Sequence, residues 1–526
     1  MGTLLSRGQR GTLVQQVRGV IGARITAGAF TAEGRLPGSR QLAAELGTSR
    51  ATVVAAYDQL VGEGYVEARE RSGLFVNPEL LGAAVRAADL PSRPNWSSRL
   101  VRQFTTPTAG VSDWEHYPYP FVTGQVDPSL FPVRAWMAHL RRALDRPQLS
   151  ASLADRGGDD PQLLEALCRV VLPTRGLTVR PDQVTVTLGS QHGLTLLCAL
   201  LLRHGDVVAM EDPGYPEARH LFGAYGARLR PLAVDAQGLH IGPDDLAGVR
   251  LMHVTPSHQH PTNVTMTASR RQGLLDAADD HDVLVVEDDY DSELRYHGRP
   301  IPALAASDRT GRCVYLGSFS KLLAPGLRLG FLVGDPELVA AVRAAQRMTT
   351  RQVPGHLQRT LASFLLADDY FRTLRRTRRE LRRRWEIVTA AAADHLDLAT
   401  TDFPPGGTSL WLRSTGADWT NLPQVAARKG VALAAQDQFY ARSDEPIQHL
   451  RLGFTAIPTP QIEPGSAPWR LLPPNWDEGS GPVPPLFGVQ PRCRPSRQAA
   501  ATVSTLAKPT PSSVSSSTSA SRASIR

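Results

Sequence analysis

The chain has 526 residues, of which 42% are hydrophobic and 21% charged, a composition typical of water-soluble globular proteins. No apolar run reaches the roughly 18 residues that a membrane-spanning helix needs, and the N-terminus lacks a signal pattern, so a cytoplasmic protein without a membrane partner is expected. The four cysteines are scattered, which excludes a disulfide framework and a zinc site of regular spacing, so no metal is expected. The net charge of +8 permits a nucleic-acid partner.

Three helices are predicted near the N-terminus. Apolar residues at helical spacing predict the first over residues 12–28, and Ser39 is a candidate N-cap of the second. After a tight turn, Ser49 or Thr48 is expected to cap a third helix over residues 50–63. The last two helices would form a helix-turn-helix.

Two short strands, 64–68 and 72–76, are predicted to follow as a wing. Residues 1–78, the first predicted domain, contain nine arginines against six acidic residues, an excess that suits phosphate contact. The stretch LPGSRQLAAELGTSRATVVAAYDQLVGEGYVEARERSGLFV has cap, turn, recognition helix and wing in order. It resembles the winged-helix domain of the GntR superfamily of bacterial transcription regulators.

The resemblance implies that a set of polar residues and one glycine contacts double-stranded DNA: Ser39, Arg40, Ser49, Arg50, Thr52, Arg71 and Gly73. Ser49 and Thr52 would lie in the major groove, and Arg40 and Arg50 would reach phosphates or base edges. Arg71 and Gly73 would bring the wing near the minor groove. For any single arginine the alternative is a solvated surface charge.

The rest of the chain divides by composition. Residues 79–115 lose periodicity and are rich in loop formers, so they are predicted to be a linker. A large domain is expected over 116–460, with a small subdomain from about 355 to 460. The Pro-, Arg- and Ser-rich residues 461–526 are predicted to be disordered, and the small subdomain is expected to lack a closing helix.

Within the large domain, short apolar strands alternate with helices, which predicts a mainly parallel α/β sheet covered on both faces. The strand-like runs are 184–188, Val207–Met210, Arg250–Val254, Val283–Val286, Cys313–Leu316 and Phe331–Val333. Gly189-Ser190-Gln191 joins the first strand to a helix and could bind phosphate, although any tight strand-to-helix turn favours such residues.

Lysine is rare, since only Lys321, Lys429 and Lys508 are found among 58 basic residues. Lys321 follows a buried strand and the loop Gly317–Ser320. Arginine is not deprotonated in proteins, whereas a lysine amine can be, and a free amine can form a Schiff base. Lys321 is therefore a candidate for amine chemistry, with a loop-capping surface lysine as the alternative.

Polar loops end several predicted strands. Glu211–Tyr215, Thr255–Asn263, Glu287–Tyr290 and Ser318–Lys321 each follow one of them. In an open α/β sheet, ligands bind at the carboxyl ends of the strands, so these loops are expected to meet in one pocket. An amine, carboxylates, hydroxyls and aromatic rings together fit pyridoxal 5'-phosphate.

Residues 117–456 resemble fold-type I aminotransferases, and EDDYDSELRY with TPSHQHPT resembles the subset fused to a GntR-type winged helix, the MocR/GabR-type regulators. The resemblance implies an α/β pyridoxal-phosphate-dependent transferase fold with large and small domains. It implies that Lys321 forms the Schiff base, that Asp288 partners the pyridine nitrogen, and that Tyr290 bonds the phenolic oxygen.

By the same resemblance Tyr215 stacks on the cofactor ring, and Arg451 holds the carboxylate of an amino-acid ligand. Arg451 has a strand-edge salt bridge as its alternative. The positions implied for the phosphate are Ser190, Gln191, Ser318, Ser320 and Arg328. Asn263 stands where the family has glycine, and asparagine tolerates a left-handed turn. His258 and His260 are either ligand contacts or loop residues.

Together these features predict a DNA-binding transcription regulator that senses pyridoxal phosphate or a small amino compound. The alternatives are a working aminotransferase with an accessory DNA module, and a large domain used only for dimerisation. The resemblance implies a homodimer, arranged head to tail with swapped domains, on an operator with paired half-sites.

Overall fold

The computed structural model divides the chain into two compact units, Met1–Gln103 and Phe104–Arg526. The described residues are 12–26, 29–30, 34–70, 72–77, 96, 98–102, 104, 111, 113–436, 438–441, 447–467 and 469.

The first unit is a winged helix. Its elements are α1 (Leu13–Thr26), α2 (Ser39–Leu46), α3 (Arg50–Gly62), β1 (Val66–Arg69) and β2 (Gly73–Val76). The strands pair antiparallel with Val66 opposite Val76, and both of these side chains are buried in a core shared with Val17, Val53 and Leu60. The predicted helix-turn-helix and wing are confirmed.

The two helix caps differ from each other. Ser49 caps α3, and its hydroxyl accepts the Thr52 N–H at 3.1 Å. The prediction that Ser39 caps α2 is wrong, because the N-cap is Gly38, which adopts an extended backbone and makes no side-chain cap. Ser39 is instead the first helical residue, and its hydroxyl accepts a bond from Arg50 Nε at 3.3 Å.

The second unit alternates helices and strands. Its α-helices are α4 (Val133–Ala143), α5 (Arg146–Leu153), α6 (Pro161–Ala166), α7 (Ser190–Leu201), α8 (Pro216–Ala224), α9 (Ala268–Asp280), α10 (Pro336–Thr349), α11 (Gly355–Leu366), α12 (Asp369–His395), α13 (Leu422–Arg428) and α14 (Thr459–Ser466). Its strands are β3 (Tyr119–Pro120), β4 (Val184–Thr187), β5 (Val207–Asp212), β6 (Arg228–Asp235), β7 (Gly238–Leu239), β8 (Val249–Val254), β9 (Leu284–Asp289), β10 (Cys313–Ser318), β11 (Gly330–Val333), β12 (Ser409–Arg413), β13 (Val431–Ala432) and β14 (His449–Gly453).

The main sheet has eight strands in the order β4-β11-β10-β9-β8-β5-β6-β7. Strands β10, β9, β8, β5 and β6 are parallel to one another. Strand β11 pairs antiparallel with both β10 and β4, and β7 pairs antiparallel with β6. The mainly parallel sheet is therefore confirmed, and the carboxyl ends of its central strands share one edge. Strand β6 was not predicted, because Leu232 is its one buried residue and no apolar run marks it.

A small two-stranded sheet, β12 with β14, pairs Trp411 with Arg451. Its leucines are buried in a core with α12 and α14. The helix α14 corrects the prediction that no closing helix exists and that the domain ends at 460. Ile462 is buried, and the ring of Trp469 lies 5.1 Å from that of Phe121, so apolar burial continues past 460. The expected disorder after residue 469, and most of the predicted linker, fall outside the described residues.

Over the part of the chain that the structure describes, no helix is both long and apolar enough to cross a membrane. Within the same residues, no group of three or more His, Cys, Asp or Glu side chains is arranged to hold a metal ion.

Candidate functional site

A cavity of about 330 Å³ lies at the carboxyl ends of the central strands. All ten residues predicted for the cofactor and its ligand line this cavity: Ser190, Gln191, Tyr215, Asp288, Tyr290, Ser318, Ser320, Lys321, Arg328 and Arg451. Nine of them lie at or next to the ends of strands in the main sheet or at the start of the following helix, and Arg451 lies on the small sheet. The parallel arrangement brings together residues that are up to about 260 positions apart (451 − 190 = 261).

Lys321 follows β10 and points its amine into the cavity. Its Nζ donates a hydrogen bond to the Gly124 carbonyl oxygen at 3.2 Å. Desolvation by the surrounding protein, and then the positive charge of Arg451, lower the pKa of Lys321. More of this amine is therefore in its free, nucleophilic form at a given pH than for an exposed lysine.

Asp288 is a buried carboxylate in β9, one residue before the end of the strand. Its Oδ2 lies 3.7 Å from His253 Nε2, and its Oδ1 has no hydrogen-bond partner among the described residues. Other buried cavity atoms also lack partners in the described structure, among them the Tyr290 hydroxyl and Gln191 Oε1. Unpaired buried polar groups are rare in folded proteins. The set matches the hydrogen-bonding groups of pyridoxal 5'-phosphate, which has a pyridinium N–H and a phenolic oxygen.

The opposite end of the cavity fits a phosphate group. Ser190 and Gln191 open α7, where backbone N–H groups have no partner within the helix and attract anions. Gly189 precedes them at φ +90°, and a side chain there would meet the Arg328 guanidinium at 3.0 Å. Ser318 Oγ accepts the Ser320 N–H at 3.2 Å, which holds the neighbouring loop. Small residues therefore leave a space beside a guanidinium.

Arg451 lies on β14 and is buried. Its Nε donates to Ser409 Oγ at 3.0 Å, and its Nη1 is bonded to His260 Nε2. Burial, and then the charge of Arg451, hold the pKa of His260 well below its usual range, so this histidine is a neutral acceptor. Among the described residues no carboxylate forms a salt bridge with Arg451, so the strand-edge ion pair considered as its alternative is not formed there.

The structure distinguishes His258 from His260, which the sequence left as either ligand contacts or loop residues. His260 lines the cavity, whereas His258 Nδ1 lies 2.8 Å from Asp291 and His258 does not line it. Asn263 adopts φ 60°, so the left-handed turn expected at this position is kept.

The residues in or behind the site that were not predicted include His253, Arg175 and Glu217. His253 backs Asp288, and its signal was a polar residue inside the apolar strand β8, next to β9. Arg175 Nε donates to Asp289 Oδ2 at 2.8 Å across 114 positions, which no local pattern indicates. Glu217 lines the cavity from the first turn of α8.

Most of the predicted DNA-binding residues are grouped where α2 and α3 begin. Arg50 bonds Ser39, and the hydroxyls of Ser49 and Thr52 lie 2.8 Å apart. Arg40 is exposed on α2.

The wing lies beside this group. A groove of about 630 Å³ is lined by Ser39 and by Gly73, which is exposed at φ +107°. Arg35 also lines the groove, next to Gly73, and was not predicted. Arg71 falls outside the described residues.

The fold and its two sites define a DNA-binding winged helix joined to an aminotransferase-type domain. Residues 13–76 match the family described as bacterial regulatory proteins, gntR family, and residues 123–463 match aminotransferase class I and II, which is a pyridoxal-phosphate-dependent family. The chain belongs to the MocR/TauR-type HTH transcriptional regulators.

Its relatives include the HTH-type transcriptional regulator TauR of Rhodobacter capsulatus, which is 39% identical over 88% of this chain and 97% of that protein. The probable rhizopine catabolism regulatory protein MocR of Rhizobium meliloti is 35% identical over 83% of this chain and 88% of its own. The HTH-type pyridoxine biosynthesis transcriptional regulator PdxR of Corynebacterium glutamicum is 34% identical over 73% of this chain and 78% of its own.

Solved aminotransferases share the fold of the second unit. Kynurenine aminotransferase of Pyrococcus horikoshii, solved in complex with PMP, superimposes with a TM-score of 0.61 at 26% identity, covering 73% of this chain and 95% of that one. The α-aminoadipate aminotransferase LysN of Thermus thermophilus, complexed with N-(5'-phosphopyridoxyl)-L-leucine, superimposes with a TM-score of 0.64 at 25% identity, covering 72% of this chain and 97% of that one.

Proposed function

We propose that this regulator binds pyridoxal 5'-phosphate in the cavity around Lys321 and senses either that compound or a small amino compound there. The observation that supports this most strongly is the set of unpaired buried acceptors, led by Asp288 Oδ1, beside an amine with a lowered pKa. A sensor with these groups would change its affinity for DNA when the occupant of the cavity changes.

When bound, pyridoxal 5'-phosphate supplies an aldehyde that combines reversibly with primary amines. Lys321 offers a free amine, because desolvation and Arg451 disfavour its protonation. The Asp288 carboxylate would accept a hydrogen bond from the pyridinium N–H, and the Tyr290 hydroxyl would donate one to the phenolic oxygen. Tyr215 would cover the ring. The start of α7, the two serines 318 and 320, and Arg328 would hold the phosphate.

Arg451 would bind the carboxylate of the incoming ligand. Its guanidinium is already oriented by Ser409 and by the neutral His260, so little side-chain freedom is lost on binding. Neither contact is with a carboxylate, and among the described residues the guanidinium forms no ion pair, so it is available to bind an anionic ligand.

On the DNA side, we propose that Ser39, Arg40, Ser49, Arg50, Thr52, Arg71 and Gly73 contact an operator with paired half-sites. A two-fold symmetric operator requires two winged helices, so the working form would be a cytoplasmic homodimer. The family arrangement, head to tail with swapped domains, is part of this proposal.

The test measures operator affinity by fluorescence anisotropy with and without pyridoxal phosphate and amines. The wild type is expected to change its affinity when ligand is added, and Lys321→Ala is expected to lose that response. Lys429→Ala is the matched control, because Lys429 is exposed and does not line the cavity. An unaltered response in Lys321→Ala would contradict the proposed switch, and intact operator binding by Arg50→Ala would contradict the DNA assignment.

A working aminotransferase is the second candidate. It is favoured by the complete set of predicted cofactor residues around one cavity. Steady-state assays with amino donors and 2-oxo acid acceptors decide between the two. Turnover of about 1 per second or faster would place the chain among ordinary enzymes and support the second candidate.

A further inference from the structure

Glu217 is an acidic residue at the edge of the cavity. It lies in the first turn of α8 and is half-buried. In the described part of the chain its carboxylate has neither a hydrogen bond nor an ion pair, although it lines the same cavity as Lys321. Its negative charge opposes the desolvation and the Arg451 charge that lower the pKa of Lys321, so it acts on the reacting amine.

A second unpaired acceptor lines the cavity with it. Gln438 Nε2 donates to the Ala435 carbonyl oxygen at 3.1 Å, and its buried Oε1 has no partner among the residues described. The segment that carries Gln438 is held against α8, because the Arg219 guanidinium donates to the backbone carbonyls of residues 438, 439 and 440 at 2.8, 2.7 and 2.9 Å. Glu217 and Gln438 therefore sit on elements that are fixed to each other.

With Asp288 assigned to the pyridine nitrogen and Arg328 to the phosphate, one further cation and one further anion of the cavity lining have no ion pair among the described residues. Arg451 is the cation, and Glu217 is the anion. Both charges act on Lys321, which lines the cavity with them. A ligand with a carboxylate but a neutral side chain would pair with Arg451 and leave the Glu217 carboxylate desolvated without a counter-charge, which is costly.

We infer that Glu217 determines specificity and selects an effector with a second cationic group, so that the effector class is a dibasic amino acid. The carboxylate of this effector would bind Arg451, and its α-amine would reach the pyridoxal phosphate held at Lys321. Its side-chain ammonium or guanidinium would bind Glu217 and Gln438. This inference rests on the proposed function. A purely structural role is the competing explanation, since an acidic residue in a first turn stabilises a helix.

The experiment uses the full-length protein loaded with pyridoxal phosphate and follows the absorbance of the bound pyridoxal phosphate while amines are titrated in. L-lysine is compared with L-norleucine, which has the same carbon chain without the second amine, and L-arginine is compared with L-citrulline. A charge-assisted pairing predicts that the wild type binds each cationic ligand about tenfold or more tightly than its neutral counterpart. Glu217→Gln should lose most of this preference, because it weakens the binding of lysine and, by removing the uncompensated carboxylate, does not weaken the binding of norleucine.

Two further measurements separate the explanations. Arg451→Gln should weaken lysine and norleucine alike, because both carry the carboxylate. Urea unfolding of Glu217→Gln reports the helix effect, which would alter stability without altering the ligand ratio.

A wild type that responds to amines without preferring the cationic ones, or a Glu217→Gln variant that keeps the preference, overturns this inference and leaves the proposed function standing. A wild type that binds pyridoxal phosphate but responds to none of these amines overturns the inference together with the proposed sensing of amines.

Discussion

Replacement of Asp288 by asparagine tests the cofactor assignment most directly. Asparagine has the same shape and can still present an oxygen at the Oδ1 position, so the change removes charge more than volume. Hydrogen bonds to charged groups contribute about 1.5–3 kcal/mol against about 0.5–1.5 for neutral ones, a difference of about 1–2 kcal/mol. Asp288 is buried, so solvent does not screen this difference. The expected loss of pyridoxal phosphate affinity is about 5- to 30-fold.

The affinity is measured by titrating the apoprotein with pyridoxal phosphate and following the absorbance or the quenching of tryptophan fluorescence. Asp291→Asn is the matched control, since Asp291 is also buried in the same acidic run but contacts His258 and does not line the cavity. The control should keep its affinity for pyridoxal phosphate. An Asp288→Asn protein that binds as tightly as the wild type would refute the pairing of Asp288 with the pyridinium nitrogen.

Three further predictions concern other groups. Arg451→Gln removes a positive charge that, after desolvation, lowers the pKa of Lys321, so the midpoint of a pH–rate profile for pyridoxal phosphate capture should move to higher pH; a constant or lower midpoint would contradict this. The pKa of His260 is depressed, so below about pH 6.5 the unfolded chain binds a proton that the folded chain does not. The free energy of unfolding therefore decreases as the pH is lowered, by up to about 1.4 kcal/mol per pH unit. His260→Gln should flatten this part of the urea-unfolding profile, and an unchanged slope would count against a neutral buried His260. Ser49→Ala should destabilise α3 by about 1 kcal/mol in amide hydrogen exchange, while Thr48→Ala, which removes no cap, should have little effect.

Local pattern was sufficient for the winged helix and for the central strands. In α1, α3 and the strands β5, β8, β9 and β10, the buried residues are contiguous or recur at the period of the element, so each segment reports its own structure. The same rule explains the omission of β6, which has one buried residue. It also explains the omission of α14, whose Pro- and Gly-containing sequence resembles a loop until Ile462 and Trp469 find partners.

The residue types around Lys321 were also evident in the sequence, because a parallel sheet necessarily brings its strand ends to one edge. What chain order could not determine was which polar side chains at that edge remain unpaired. Arg175 is bonded to Asp289 and His258 faces Asp291, whereas Asp288, Glu217 and Arg451 are left without an oppositely charged partner at hydrogen-bonding distance among the described residues.

The sequence by itself therefore indicated the two modules and the candidate cofactor, since helical period, strand ends and motif order are local properties, and the family resemblance implied the roles of the residues expected around the cofactor. Only the tertiary structure decided the pairing of charges inside the cavity. Pairing depends on distances between side chains more than a hundred positions apart, and those distances arise from packing. The unpaired Glu217, on which the predicted ligand class rests, belongs to this second kind of information.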